Sequence, residues 1–273
     1  MRLRLTAVFL TVLLAVLTAS CSFAREETTA APASTSVPTV RVTFPEGSTA
    51  VQIARLLEQN GVCSAKDFLA AANTVPADFP LAAQIANAAE RPFLLEGYIF
   101  PDTYDFYVGE SAASALSRFL ANTKRKLTAA VASRAGELGY SVDEILIIAS
   151  IIQEESGFPE QDPLVSSVLH NRLNSKSFPM LQFNVTFEYI DKYVAPYVDG
   201  GSEKYRGLYN TYRRKGLPAG PISNPGMSAI NAALYPADTG YYYFVTDKNM
   251  NYYYASTYSE HLANCRKAGV PTG

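Results

Sequence analysis

The 273-residue chain is 48% hydrophobic, enough to bury a sizeable core and too apolar for a disordered protein. Its 23 basic and 25 acidic side chains leave a net charge of −2, which excludes a basic nucleic-acid footprint and a strong acidic field. Tyrosine is abundant, at 18 residues, and suits half-buried strands and sugar-binding clefts alike.

At the N-terminus, Arg2 and Arg4 precede an apolar run over 5–19, and Ala19 and Ser20 lead into Cys21, the pattern of a secretion signal. The stretch LTASC at 17–21 resembles a lipobox, in which the cysteine, here Cys21, is lipidated and becomes the mature N-terminus. The rival reading is an uncleaved anchor, because residues 5–24 are about long enough to cross a hydrocarbon core at roughly 1.5 Å per residue. Either way the body is expected at the extracytoplasmic face of the cell membrane. Residues 22–38 are rich in Thr, Ala, Ser and Pro and read as a flexible linker.

From 39 to 90 a small unit is expected. Val40, Val42 and Phe44 alternate as in a strand, Pro45, Glu46 and Gly47 turn, and Ser48 opens a helix carrying Val51, Ile53, Ala54, Leu56 and Leu57. Gly61 ends that helix, and Ser64 caps a second one. A main domain follows over 91–273, without internal repeats. Its aromatic segment at 95–106, broken by Pro101, reads as strand, turn and strand, and a helix is expected over about 111–138. Residues 241–246 and 252–255 read as a hairpin. The fold class is therefore α+β, mostly helical with minority strands.

The segment SVDEILIIASIIQEESG at 141–157 is the most informative. Ser141 and Glu144 form a capping box, and Gly157 stands where a left-handed C-terminal residue belongs. Between them, 145–152 is apolar on every side apart from Ser150, which marks a helix buried all round. Glu155 follows Ile148, Ile151 and Ile152 by seven, four and three residues and so continues an apolar face. Desolvation and the negative end of the helix dipole both favour a protonated carboxyl there. Those are the conditions for a general acid, although helices also end in such pairs on solvated faces.

If Cys21 carries lipid, Cys63 and Cys265 remain, either as a disulfide or as two buried thiols. His170 and His261 are the only histidines, and no spacing has metal-ligand form, so neither a metal nor another cofactor is expected. The loop at 215–226 reads as a rigid wall of glycines closely followed by prolines, not a phosphate cradle.

Six segments, in order, resemble the YceG-like endolytic murein transglycosylases: LEGYIFPDTYDF at 95–106, IASIIQEESG at 148–157, VSSVLHNRL at 165–173, YNTYRRKGLPAGPISNPG at 209–226, AALYPADTGYYYFV at 232–245 and TYSEH at 257–261. The resemblance implies a LysM-like form for 39–90 and a YceG-like catalytic domain over 91–273. It further implies a peptidoglycan lytic transglycosylase that cleaves the MurNAc-β-1,4-GlcNAc bond without net hydrolysis, leaving 1,6-anhydroMurNAc ends in cell-wall assembly or remodelling. One glutamate serves as acid and then base. Where the family usually reads EKE, this chain has Gln153, Glu154 and Glu155, which leaves Glu155 as the catalytic residue.

By the same resemblance Glu96, Tyr104, Gln182, Asn184, Asn210 and Tyr212 shape the substrate cleft. Amides bond acetamido and hydroxyl groups, and a tyrosine can stack on a sugar face. The implied partners are peptidoglycan glycan strands, the membrane and cell-wall synthesis enzymes, with no nucleic acid. Asn184 replaces a usual aspartate, Tyr252 a histidine and Ala255 a serine. These departures keep a non-catalytic glycan-binding protein in play. A hydrolytic muramidase is the other alternative, with Asp102, Asp105 and Glu188 as candidate second carboxylates.

Overall fold

The computed structural model describes residues 37–178, 180–198 and 201–271; the signal segment and Cys21 lie outside them. Strand β1 (Thr39–Thr43) buries Val42, and the chain turns at Gly47 into α1 (Ala50–Gln59). The cap of α1 is Thr49 and not Ser48: the Thr49 hydroxyl accepts from the Gln52 amide, and the Gln52 side chain returns the bond. Ser64 caps α2 (Ala65–Ala72), as expected.

Residues 95–106 do not make two strands. Gly97 adopts φ 85, and the chain turns there against Pro221 before entering the single strand β2 (Thr103–Tyr107). Its partner is β1, antiparallel, with Val42 opposite Tyr104 and Val40 opposite Phe106. That ladder ties the first strand into the body. Residues 37–273 form one compact unit, so the boundary expected at 90 falls inside it.

The single helix expected over 111–138 is two. Ser111 caps α3 (Ala112–Lys126); Leu127 then leaves helical geometry and Thr128 takes the extended conformation that opens α4 (Ala129–Glu137). The break lets α3 pack on α2 while α4 packs on the next helix.

That helix, α5 (Val142–Glu155), carries the expected Ser141 and Glu144 capping box, and every residue from Ile145 to Ile152 is buried. Ile145, Ile148, Ile151 and Ile152 are wholly inaccessible, and each contributes roughly 1.5–3 kcal/mol by leaving water. Ser150, the polar exception, is satisfied: its hydroxyl donates to the Ile147 carbonyl and accepts from the Ile222 amide at 3.0 Å. The end of α5 differs from expectation. Ser156 closes it in an extended conformation, and Gly157 is not left-handed. A side chain at 157 would displace the flexible end of Met250 and press on the Tyr252 hydroxyl that the Gly157 amide bonds.

The remaining elements surround α5. They are α6 (Asp162–Leu173), α7 (Asn184–Tyr189) continued by a π-helical turn (Ile190–Val194), α8 (Ser202–Tyr209) and α9 (Met227–Leu234), of which α6, α7 and α9 touch α5. The expected hairpin forms from β3 (Tyr243–Thr246) and β4 (Tyr252–Ala255), with α10 (Tyr258–Ala268) packed on it. Cys63 and Cys265 are free thiols, which settles the pair against a bridge. Among the described residues no helix is long and apolar enough to cross a membrane.

Gly97 supplies a test of this arrangement. An added Cβ would sit 2.5 Å from Pro221 Cγ, at a φ that side chains rarely adopt. Gly97→Ala is expected to lower stability by more than about 1 kcal/mol, read as a lower urea midpoint with an unchanged m-value. An unaltered midpoint would show that the 97–221 contact is not close.

Candidate active site

The last turn of α5 opens into a cleft of about 320 Å³, and Glu155 is the carboxylate that lines it. The side chain is half-buried, reaching solvent through the cleft. Burial raises its proton affinity most, Arg172 opposes that, and the like charges of Glu188 and Glu154 add to it; the result is a carboxyl pushed up to about 7. The hairpin holds this end of the helix. The Tyr252 hydroxyl accepts from the Gly157 amide at 2.7 Å and donates to the Glu155 backbone carbonyl at 3.4 Å.

One wall comes from residues 182–184 and the YNTY segment. Gln182 has φ 58, an uncommon conformation for a residue with a side chain, and its amide donates to the Thr211 carbonyl. The buried Thr211 hydroxyl accepts from the Phe183 amide at 3.0 Å and meets the Thr186 hydroxyl. Thr211 therefore pins the wall from behind while its neighbour Tyr212 faces outward. The Tyr212 hydroxyl donates to Asn184 Oδ1 at 2.6 Å, and the Tyr212 amide donates to Asn210 Oδ1 at 2.9 Å. Gln182, Asn184 and Tyr212 thus line the cleft with Glu155, whereas Asn210 sits behind Tyr212 and orients it.

The opposite wall is aromatic. Tyr243 and Phe244 of β3 and Tyr258 and His261 of α10 line it, with the Tyr243 and His261 rings stacked at 5.1 Å. At the floor lies Arg172 of α6, buried, its guanidinium donating to the carbonyls of Leu181 at 2.6 Å and Tyr242 at 2.7 Å. The sequence assigns none of these residues to the cleft and marks His261 only as one of two histidines. Arg172 lies within the VSSVLHNRL segment, and Tyr243 within the tyrosine run, so the signal available was position inside a motif.

Two expected cleft residues lie elsewhere. Glu96 is sealed in the core, 1% exposed; its carboxyl accepts from the Ala50 amide, the Tyr189 hydroxyl and, at 2.6 Å, Asn224 Nδ2. It joins the start of α1 to the end of α7 and to the 221–226 loop. Tyr104 packs among Phe44, Phe106 and Phe119, with its hydroxyl on the Phe100 carbonyl and Asn122. Both are structural. Glu154 points away from Glu155, toward the side where Lys192 and Tyr193 lie.

With this geometry in place, the description "YceG-like family" matches residues 23–267. The chain belongs to the YceG-like family. It is similar to the endolytic murein transglycosylase of Bacillus subtilis, 30% identical over 239 residues, which are 81% of this chain and 63% of that protein. It is also similar to the endolytic murein transglycosylase of Streptococcus pneumoniae, 27% identical over 243 residues, covering 82% of this chain and 43% of that one. The chain thus spans less than two thirds of the length of either relative. A crystal structure of a YceG-like protein from Listeria monocytogenes shares the fold at TM-score 0.65 and 28% identity, covering 84% of this chain and 76% of that one.

The sealed Glu96 carboxyl has a measurable signature. Burial pushes it up to about 8, against the hydrogen bonds from Ala50, Tyr189 and Asn224 that pull it down. A raised folded-state value means that the native chain keeps a proton the unfolded chain has lost. The contribution to stability is therefore full below the ordinary carboxylate value and disappears as pH rises through about 8. The stability of the wild type relative to Glu96→Gln is expected to fall between about pH 5 and pH 9 in urea titrations. A pH-independent difference would contradict the sealed site.

Proposed function

We propose that the protein is a peptidoglycan lytic transglycosylase in which Glu155 acts as acid and then as base on the MurNAc-β-1,4-GlcNAc bond. The observation that carries this reading is the cleft itself: one carboxylate, held near neutrality by burial, lies between a polar wall and an aromatic one. Glu155 donates its proton to the glycosidic oxygen, the bond from muramyl C1 breaks, and its electron pair leaves with that oxygen. The muramyl C6 oxygen then closes on C1 while the Glu155 carboxylate takes the C6 hydroxyl proton. A 1,6-anhydro end forms, the glutamic acid is restored, and no water is consumed.

A hydrolytic muramidase has less support. It needs a second carboxylate roughly 5–9 Å from the acid or a positioned water. Asp102 bonds Asn122, Asp105 pairs with Arg41, and Glu188 pairs with Lys192; none of the three lines the cleft. The departures at 184 and 252 also fit a working site. Asn184 offers Tyr212 the acceptor oxygen an aspartate would, and Tyr252 holds the end of α5.

In this reading Gln182, Asn184 and Tyr212 bond acetamido and hydroxyl groups, and the aromatic wall stacks on sugar faces. The β1, α1 and α2 segment is the LysM-like part, joined to the catalytic body through the β1–β2 ladder. The signal pattern ending at Cys21 supports membrane tethering at the extracytoplasmic face, by lipid or anchor, beside cell-wall synthesis enzymes.

Uncrosslinked glycan strands incubated with the wild-type chain are expected to yield ends lighter by one water than reducing ends, identified by mass spectrometry. Glu155→Gln, with folding intact by circular dichroism, is expected to lose about 100-fold or more of the rate. Because the acid must be protonated, kcat/KM should decline as pH rises through about 7. Reducing ends would overturn the lyase reading, and an active glutamine variant would overturn the assignment of Glu155.

A further inference from the structure

Among the described residues two arginines are buried, Arg91 and Arg172, and they are satisfied in different ways. Arg91 forms a bidentate ion pair with Asp143, the arrangement that ordinarily accompanies a guanidinium taken out of water. Arg172 has no carboxylate bonded to it among the described residues. Its Nε and Nη1 donate to the backbone carbonyls of Tyr242 and Leu181, and its guanidinium carbon lies 5.2–5.7 Å from the ring centroids of Phe183, Phe178 and Tyr243. Carbonyl dipoles and ring faces hold the group in place and leave its net charge uncompensated. Removing a cation from water without a counter-charge opposes folding, so its presence at the floor of the cleft calls for a reason other than packing.

The way the charge is held reinforces this. The Leu181 carbonyl that accepts from Arg172 immediately precedes Gln182, the residue with φ 58. A strained backbone position persists where the surroundings impose it, and here it presents an acceptor to the guanidinium on one side and a side chain to the cleft on the other.

We propose that Arg172 is a positioning residue of the reaction: its guanidinium is the fixed positive charge that stabilises the Glu155 carboxylate in the interval between proton donation and proton recovery. The inference rests on Glu155 being the acid and base. The charged and titratable groups around Glu155 leave Arg172 alone in this role. Glu154 from the same helix and Glu188 from α7 repel the carboxylate. Tyr212, Tyr243 and Tyr258 line the cleft and have no cationic form, and His261 of α10 is pushed toward its neutral form by burial and by Arg172 itself. Among the described residues of the cleft, Arg172 is the cation that opposes burial at Glu155.

The test is the pH profile of kcat/KM for the full chain on uncrosslinked glycan strands, in the wild type, Arg172→Gln, Arg172→Lys and Glu188→Gln. Loss of the guanidinium is expected to move the alkaline limb up by about one pH unit and to lower kcat about tenfold or more. Arg172→Lys keeps the charge and is expected to keep the limb, whereas Glu188→Gln removes a like charge and should move it down. If the glutamine variant does not fold, Arg172→Met, which retains the aliphatic stem among the rings, takes its place. A neutral variant with reduced activity but an unmoved limb, alongside a shifted limb in Glu188→Gln, would overturn the proposal and leave Glu155 standing as the acid. A lysine variant displaced as far as the glutamine one would also overturn it. An active Glu155→Gln would remove the reading on which the proposal rests.

Discussion

A helix that is apolar on every side has to be surrounded, and this requirement on α5 organises the molecule. Helices α4, α6, α7 and α9 contact it, and apart from the half-buried Glu144 at its start only its last turn reaches solvent. Several of the segments around the helix also deliver something to its end. From α6 comes Arg172, from α7 comes Asn184, and the hairpin sends Tyr252 to the Gly157 amide. The loop before α9 closes on Ser150 through the Ile222 amide and on Gln153 through the Gly226 amide. Core formation and cleft formation are therefore the same packing event, and a carboxyl placed at that end is desolvated as a consequence.

Glu96 and Glu155 both hold their protons unusually tightly, and their surroundings separate their roles. Glu96 is sealed and receives hydrogen bonds from three elements, so it works as a joint between the α1 start, the end of α7 and the 221–226 loop. Glu155 is partly open, and burial acts on it without hydrogen bonds to counter it. A carboxyl in the first environment has its oxygens occupied; one in the second has them available for proton transfer. Raised proton affinity by itself does not distinguish a structural group from a reactive one. Access does.

The difference between local and distant information explains what was legible in the sequence. Helix caps are written within four residues, and both the capping box of Ser141 with Glu144 and the N-cap at Ser64 are legible as such. Glu155 was readable because its neighbours at three, four and seven residues lie on the same helical face. The motif around Glu96 points to the cleft, yet its partners Tyr189 and Asn224 lie far along the chain and seal it in the core. The pattern at 95–106 suggests a strand paired inside its own segment, whereas the partner of 103–107 is β1. The helix break at Thr128 has a local signal, a threonine before an alanine run, although Thr128 holds the cap position by its extended backbone and without a side-chain bond. The bond between Tyr212 and Asn184, and the meeting of Arg172 with Glu155, depend on how loops close around α5, which no spacing encodes.

Proton donation from the end of α5 depends on one property, the proton affinity of Glu155 in the folded chain. Carboxyl carbon NMR of the protein labelled at glutamate, with the resonance assigned by its loss in Glu155→Gln, measures it without reference to substrate. A titration midpoint near 7 is expected from its burial in the cleft. A midpoint in the ordinary carboxylate range, near about 4.3, would contradict the claim that packing around α5 prepares this residue to donate a proton.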